Sequence, residues 1–201
     1  HSLKGYTLKC VDGKIGEVKD FIFDEKHWTI RYLVAETGSW LMERQVLISP
    51  YSLVSTDADK KQITTTLTVN QIESSPPLYK DTSISREFEA SYHIFYNCPT
   101  YWNGSYRWGE SPAMLLNSAA YKEALGEKDL DPGLHSANDF RGRKISATDT
   151  EFGDITDFVI DDECWAIRYI IINTISWWPS PHVLISPEWI ESIGEFDFKV
   201  H

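Results

Sequence analysis

The chain is poor in sulfur and in positive charge. Its three cysteines, Cys10, Cys98 and Cys164, are odd in number and show no Cys-x-x-Cys spacing. That excludes a disulfide framework and a cysteine-held zinc site of ordinary spacing. As small apolar residues they fit a reducing cytoplasm, the expected location. Nineteen Lys and Arg stand against thirty Asp and Glu, for a net charge of −11. No Lys/Arg run breaks that balance, so no nucleic-acid partner is expected. No apolar run approaches the roughly 20 residues of a membrane span, and no signal peptide is visible. His27, His93, His135 and His182 share no metal-ligand spacing; no metal or cofactor is implied. What is present is 42% hydrophobic residues, 13% aromatic, with eight Trp, the composition of a packed protein. A length of 201 residues allows one large or two small domains.

An internal repeat favours two. VKDFIFDEKHWTIRYLVAETGSW, residues 18–40, matches ITDFVIDDECWAIRYIIINTISW, residues 155–177, at a shift of 137 positions. From Gly5/Gly142 to Pro50/Pro187 there are 18 identities in 46 ungapped columns. They include Asp12/Asp149, Gly16/Gly153, Asp20/Asp157, Trp28/Trp165, an Ile-Arg-Tyr and a Val-Leu-Ile-Ser-Pro. The chain divides into residues 1–75, a first unit; 76–139, a linker; and 140–201, a second unit. At the same shift His201 corresponds to Thr64, so the last strand of the second copy is expected either to be cut short or to continue in residues past 201.

Each unit reads as β-structure. Tyr6–Val11 is a strand ended by Asp12-Gly13. Ile15–Phe23 and Trp28–Ala35 form a hairpin, Val46–Ser49 a fourth strand before Pro50, and strands follow near Ser52–Val54 and Gln62–Leu67. Val69–Ser75 reads as a helical turn. The hairpin strands carry apolar residues on both faces, so something covers the outer face. A two-residue loop at Glu25-Lys26 sets Asp20 opposite Arg31. The same arithmetic sets Asp157 opposite Arg168. Two equivalent cross-strand ion pairs are therefore expected, each worth roughly 0.2–1 kcal/mol. Asp20/Asp24 and Asp157/Asp161 could otherwise suggest a cation site or proton shuttle. Four residues along a strand is about 13 Å, too far for one metal.

The linker is aromatic. Ile84, Phe88, Tyr92 and Phe95 recur at helical spacing, which predicts a helix over Ser85–Tyr96 with Ser83 as its N-cap. CPTYWNGSYRWGESP, residues 98–112, is an aromatic loop. A second helix is expected over Ala113–Leu125, from Ser111-Pro112 to Gly126. Cys98 with His93 could be a nucleophile pair, but five residues apart at a helix end they are not expected to face each other. Trp40 lies between strands three and four, and Trp177 and Trp178 lie in the matching place. They suit a partner-binding anchor or packing between units.

The pattern D-x-x-x-G, V-x-D-x-x-x-D, W-x-I-R-Y and V-L-I-S-P resembles the PRC-barrel domain. That family includes the cytoplasmic domain of the photosynthetic reaction-centre H subunit and the C-terminal domain of the ribosome-maturation factor RimM. Together with the linker segments SREFEASYHIFYNCPTYW and DPGLHSANDFRG, the repeat resembles bacterial proteins with tandem PRC-barrels. The resemblance implies a mainly β fold of two small six-stranded barrels with a partly helical linker. It brings no catalytic residues and implies interaction and assembly.

The expected function is thus a non-enzymatic protein-interaction module with an unidentified protein partner. A membrane-surface complex and a homo-oligomer are compatible with it. The alternatives are an H-subunit-like role in assembling an electron-transport complex, a ligand or enzymatic pocket between barrels and linker, and a RimM-like ribosome factor.

Overall fold

Alternating β-branched and aromatic residues, cut by Asp-Gly, Gly and Pro, set where strands begin and end. The outcome is seen in a computed structural model, which describes residues 3–41, 44–76, 78, 84–102, 133–147, 150–174, 181–193 and 197–200. By contacts the chain forms two units. One comprises His1–Phe21 with Arg31–Leu134; the other comprises Ile22–Ile30 with His135–His201.

The first copy supplies β1 (Thr7–Lys9), β2 (Lys14–Asp24), β3 (Thr29–Glu36), β4 (Gln45–Ile48), β5 (Leu53–Asp57) and β6 (Gln62–Thr65). Their order is β4-β3-β2-β1-β6-β5, antiparallel except for the parallel pair β1–β6. Leu8, Ile15, Val18, Leu33, Ile48 and Ile63 fill the core. A short helix α1 (Val69–Glu73) follows, held by a Thr68/Gln71 capping box and by Asp12, whose Oδ1 accepts from the Val69 amide at 2.8 Å. The linker contributes α2 (Arg86–Tyr96). The expected second linker helix lies outside the described residues.

After β7 (Leu134–Ser136) and a turn of helix α3 (Ala137–Phe140), the second copy supplies six more strands. They are β8 (Lys144–Ala147), β9 (Thr150–Asp161), β10 (Ala166–Thr174), β11 (His182–Ile185), β12 (Ile190–Ile193) and β13 (Asp197–Val200). The order is the same, β11-β10-β9-β8-β13-β12, and β8–β13 is again parallel. Lys144 pairs with Asp197, which follows Gln62 by 135 positions, two short of the repeat's shift. The last strand is reached through a shorter connection.

The second unit's core includes the tip of the first hairpin. Phe23 meets Phe140 edge-on at 5.0 Å, Phe158 at 5.8 Å, and stacks on Trp28 at 5.3 Å. The backbone pairs there as well: the Ile30 amide donates to the Trp165 carbonyl and the Ile167 amide to the Trp28 carbonyl.

Gly16 and Gly153 are dictated by packing. A Cβ at Gly16 would lie 1.9 Å from the Glu36 carbonyl oxygen; at Gly153 it would lie 2.2 Å from that of Asn173. Both copies need the same close backbone approach.

The hairpin register corrects the sequence expectation. Asp161 pairs with Ala166, so the loop has four residues rather than two. Its last residue, Trp165, has φ +58°, and Trp28 in the first copy has φ +48°. A bulge then falls between Ile167 and Tyr169, leaving Arg168 as the extra residue, and Asp157 faces Ile171. Asp157 therefore takes Arg141 at 2.6 Å, while Arg168 takes Asp161 at 2.6 Å. The expected Asp157–Arg168 pair is replaced by these two.

Candidate functional site

The outer face of the first copy's β3–β4 is where titratable groups collect. Helix α2 brings most of them. Ser85 caps it, accepting from the Phe88 amide at 3.2 Å, in place of the expected Ser83. Glu87 and Glu89 lie in the first turn, favourable to the dipole. Asn97 ends the helix in the left-handed region, and the Cys98 amide then donates back to the His93 carbonyl.

The buried face of α2 is Glu89, Ala90, Tyr92 and His93, while Phe95, expected inside, is exposed. The polar groups of Glu89, Tyr92 and His93 each have a partner. Tyr32 and Tyr101 hydroxyls both donate to Glu89 Oε1 at 2.7 Å, and Arg86 reaches Glu89 Oε2 at 2.7 Å. Tyr32 Oη lies 2.9 Å from His93 Nε2. Tyr92 binds the sheet edge, donating to the Leu47 carbonyl at 3.1 Å and accepting from the Ser49 amide at 2.9 Å. The Arg31 guanidinium is buried 4.0 Å above the Tyr101 ring, and Arg86 lies 4.5 Å over Trp102. Desolvated contacts of this kind are worth about 2 kcal/mol.

Cys98 and His93 do meet, against expectation: Sγ lies 3.3 Å from Nδ1. The left-handed cap at Asn97 folds the chain back and closes the gap that helical spacing leaves. His93 Nδ1 also lies 3.3 Å from the Cys98 carbonyl oxygen, which can only accept. The ring proton therefore sits either on Nδ1 toward that carbonyl or on Nε2 toward Tyr32 Oη, and the thiol donates to Nδ1 only in the second case.

Electrostatically this is a poor nucleophile. Burial pushes the Cys98 thiol up to about 12 and the His93 imidazole down to about 4. An activated thiolate–imidazolium pair needs the opposite shifts. Burial also raises Glu89 to about 7, against the pull of Arg86, Tyr101 and Tyr32. The groups are held neutral or paired, which suits a locked joint.

The other singled-out residues are dispersed. Asp20 Oδ1 accepts from the Phe21 amide, and Asp24 Oδ1 accepts from the His27 amide and meets its ring at 3.0 Å. Asp161 repeats the turn role, accepting from the Glu163 and Cys164 amides, and Arg168 holds its carboxyl well below the usual range. His135 pairs with Glu25 at 2.8 Å; His182 is exposed on β11. Trp40 lies on a 3-10 turn, Gly38–Leu41, with its side chain outside the described residues, as are Trp177 and Trp178 entirely. A groove of about 360 Å³ is lined by Lys14, Gly16, Glu17, Lys19 and Glu36 among others, and Lys19 bridges both glutamates at 3.3 Å. Among the described residues no group of three His, Cys, Asp or Glu could hold a metal, and no helix is long and apolar enough to cross a membrane.

Sequence reasoning missed Glu89, Arg86 and Tyr101. The available signal was Glu89 and His93 flanking Ala90 at i and i+4, a polar pair beside a small residue on one helical stripe.

No curated protein matches the chain. Residues 3–74, spanning β1 through α1, match the PRC-barrel domain family.

Proposed function

We propose that the chain is a non-enzymatic interaction and assembly module. It is built from two PRC-type β-barrel units joined by a partly helical aromatic linker, and it works in the cytoplasm with a protein partner. The family match over residues 3–74 supports the first unit. The 137-residue shift and the common strand order support the second. One observation carries the functional reading. The outer sheet face of the first copy is occupied by an amphipathic helix, bound through Tyr92 on the β4 edge and the Tyr32–Glu89–His93 chain. The cluster that could have been catalytic serves to hold a helix on a sheet. Trp40, Trp177 and Trp178 are proposed as the partner-facing anchors, since Trp concentrates binding energy at interfaces.

Affinity capture with the intact chain, quantified by mass spectrometry, tests this. The wild type is expected to recover a protein partner in stoichiometric amount, and a Trp40→Ala/Trp177→Ala double variant to lose it. Equal recovery by the variant removes the tryptophans from the interface. Turnover of a small molecule with no protein partner would overturn the reading.

A further inference from the structure

The repeat makes a direct test of what each sheet face is for. At the 137-residue shift Tyr32, Val34 and Leu47 correspond to Tyr169, Ile171 and Leu184. The first three are 0%, 5% and 3% exposed beneath α2; Tyr169 and Leu184 are 45% and 53% exposed. Register joins the second set into one patch. Tyr169 pairs with Val159, itself exposed, and Ile171 pairs with Leu184. Tyr169 and Ile171, two apart on β10, share a face. The β11 edge matters too. Leu47 and Ser49 use their outward carbonyl and amide to bind Tyr92. Among the described residues, the corresponding Leu184 carbonyl and Ser186 amide meet no such side chain.

Resting on the interaction reading above, we propose that the outer face of β9–β11 docks an amphipathic helix supplied by a partner protein. That helix is aromatic where it meets the sheet and basic at its rim. The first copy defines the aromatic side: a hydroxyl-bearing ring to bridge Leu184 and Ser186, and an acceptor for the Tyr169 hydroxyl. Charge defines the rim. Residues 135–201 hold five Lys and Arg against twelve Asp and Glu, which attracts a basic helix and repels a second copy of this chain. Four apolar side chains on two adjacent strands and their neighbour suit the apolar stripe of one helix.

The probe is a fluorescein-labelled peptide of residues 84–97 carrying Glu87→Lys and Ser91→Lys on its outward side, titrated against the intact chain by fluorescence polarisation. Saturable binding is expected. Leu184→Asp should weaken it at least about tenfold, while Val54→Asp, on an exposed apolar residue of the first copy, should not. Unchanged urea midpoints verify that both variants fold. Equal affinity for wild type and Leu184→Asp would overturn the proposal. So would light scattering that shows a wild-type dimer abolished by Leu184→Asp, since the occupant would then be a second copy. Loss of peptide binding at Leu184→Asp together with loss of the captured partner supports both readings. If Leu184→Asp neither weakens the peptide nor loses the partner, the interaction reading stands and this face is wrong. Absence of any partner for the wild type fails the interaction reading itself.

Discussion

Arg31 and Arg168 hold the same place in the two copies, inside the same Ile-Arg-Tyr. Arg31 is 1% exposed and roofed by the Tyr101 ring, whereas the side chain of Arg168 is 50% exposed and paired with Asp161. The flanking tyrosines follow suit: Tyr32 is locked to Glu89 and His93, and Tyr169 stands in solvent. The strand order matches in the two stretches, and their outer surfaces differ. Burying a guanidinium and a carboxylate is unfavourable unless every donor finds an acceptor. In the first copy Arg86, Tyr32 and Tyr101 supply donors to the Glu89 carboxylate, and the Tyr101 ring covers the Arg31 guanidinium. The second copy keeps its charges at the rim, where water meets it.

The largest expected contrast lies in removing one member of the buried cluster. Glu89→Ala leaves Arg86 without its partner and two tyrosine hydroxyls without an acceptor. Urea unfolding should show a loss of about 3–5 kcal/mol. Asp161→Ala, which removes the half-buried acceptor of Arg168 and of the Glu163 and Cys164 amides, should cost clearly less. A similar cost for both would mean that the clusters are not the different objects described.

Next come the glycines, where the copies should agree. Gly16→Ala and Gly153→Ala each drive a methyl into a backbone carbonyl that cannot retreat cheaply. Each should cost about 1–3 kcal/mol. Tolerance at one and not the other would show that the close approach is shared in appearance only.

The smallest effect is the pH profile. Glu89 is raised from 4.5 to about 7. Its contribution is fully present below the unfolded value and is lost as pH rises through the folded one. His93 is lowered from 6.5 to about 4, so its contribution is present above 6.5 and lost as pH falls toward 4. Between about pH 4.5 and 6.5 the two slopes oppose each other, and these groups leave stability flat. In His93→Phe only the Glu89 slope remains. The variant should lose stability relative to wild type as pH rises from about 4 to 6.5, by at most about 1.4 kcal/mol per unit, and then fall in parallel with it up to about 7. A difference independent of pH would show that His93 is not held neutral by the fold, and a variant whose own stability is flat between about pH 4.5 and 7 would show that Glu89 does not carry the proton.

The strands, their order along each copy and the need for an outer cover were legible because alternation and turn residues are local signals. Register was not. It hinges on Trp28 and Trp165 adopting positive φ, a conformation that no propensity assigns to tryptophan. The bulge at Arg168 likewise leaves no trace in composition. The existence of α2 could be read, but its buried side could not. Glu89 and His93 point inward only because Tyr32, 57 and 61 residues earlier, supplies their partner. The reactive-looking approach of Cys98 to His93 arises from one left-handed residue, Asn97.

The first hairpin's tip has a further consequence for biosynthesis. Residues 22–30 belong by contacts with residues 135–201. During synthesis they leave the ribosome more than a hundred residues ahead of their neighbours in that core. Until those neighbours arrive, Phe23 lacks the rings of Phe140 and Phe158, and the hairpin end is an uncovered apolar surface. A fragment starting at His135 leaves behind Phe23, the ring on which its own Phe140 packs.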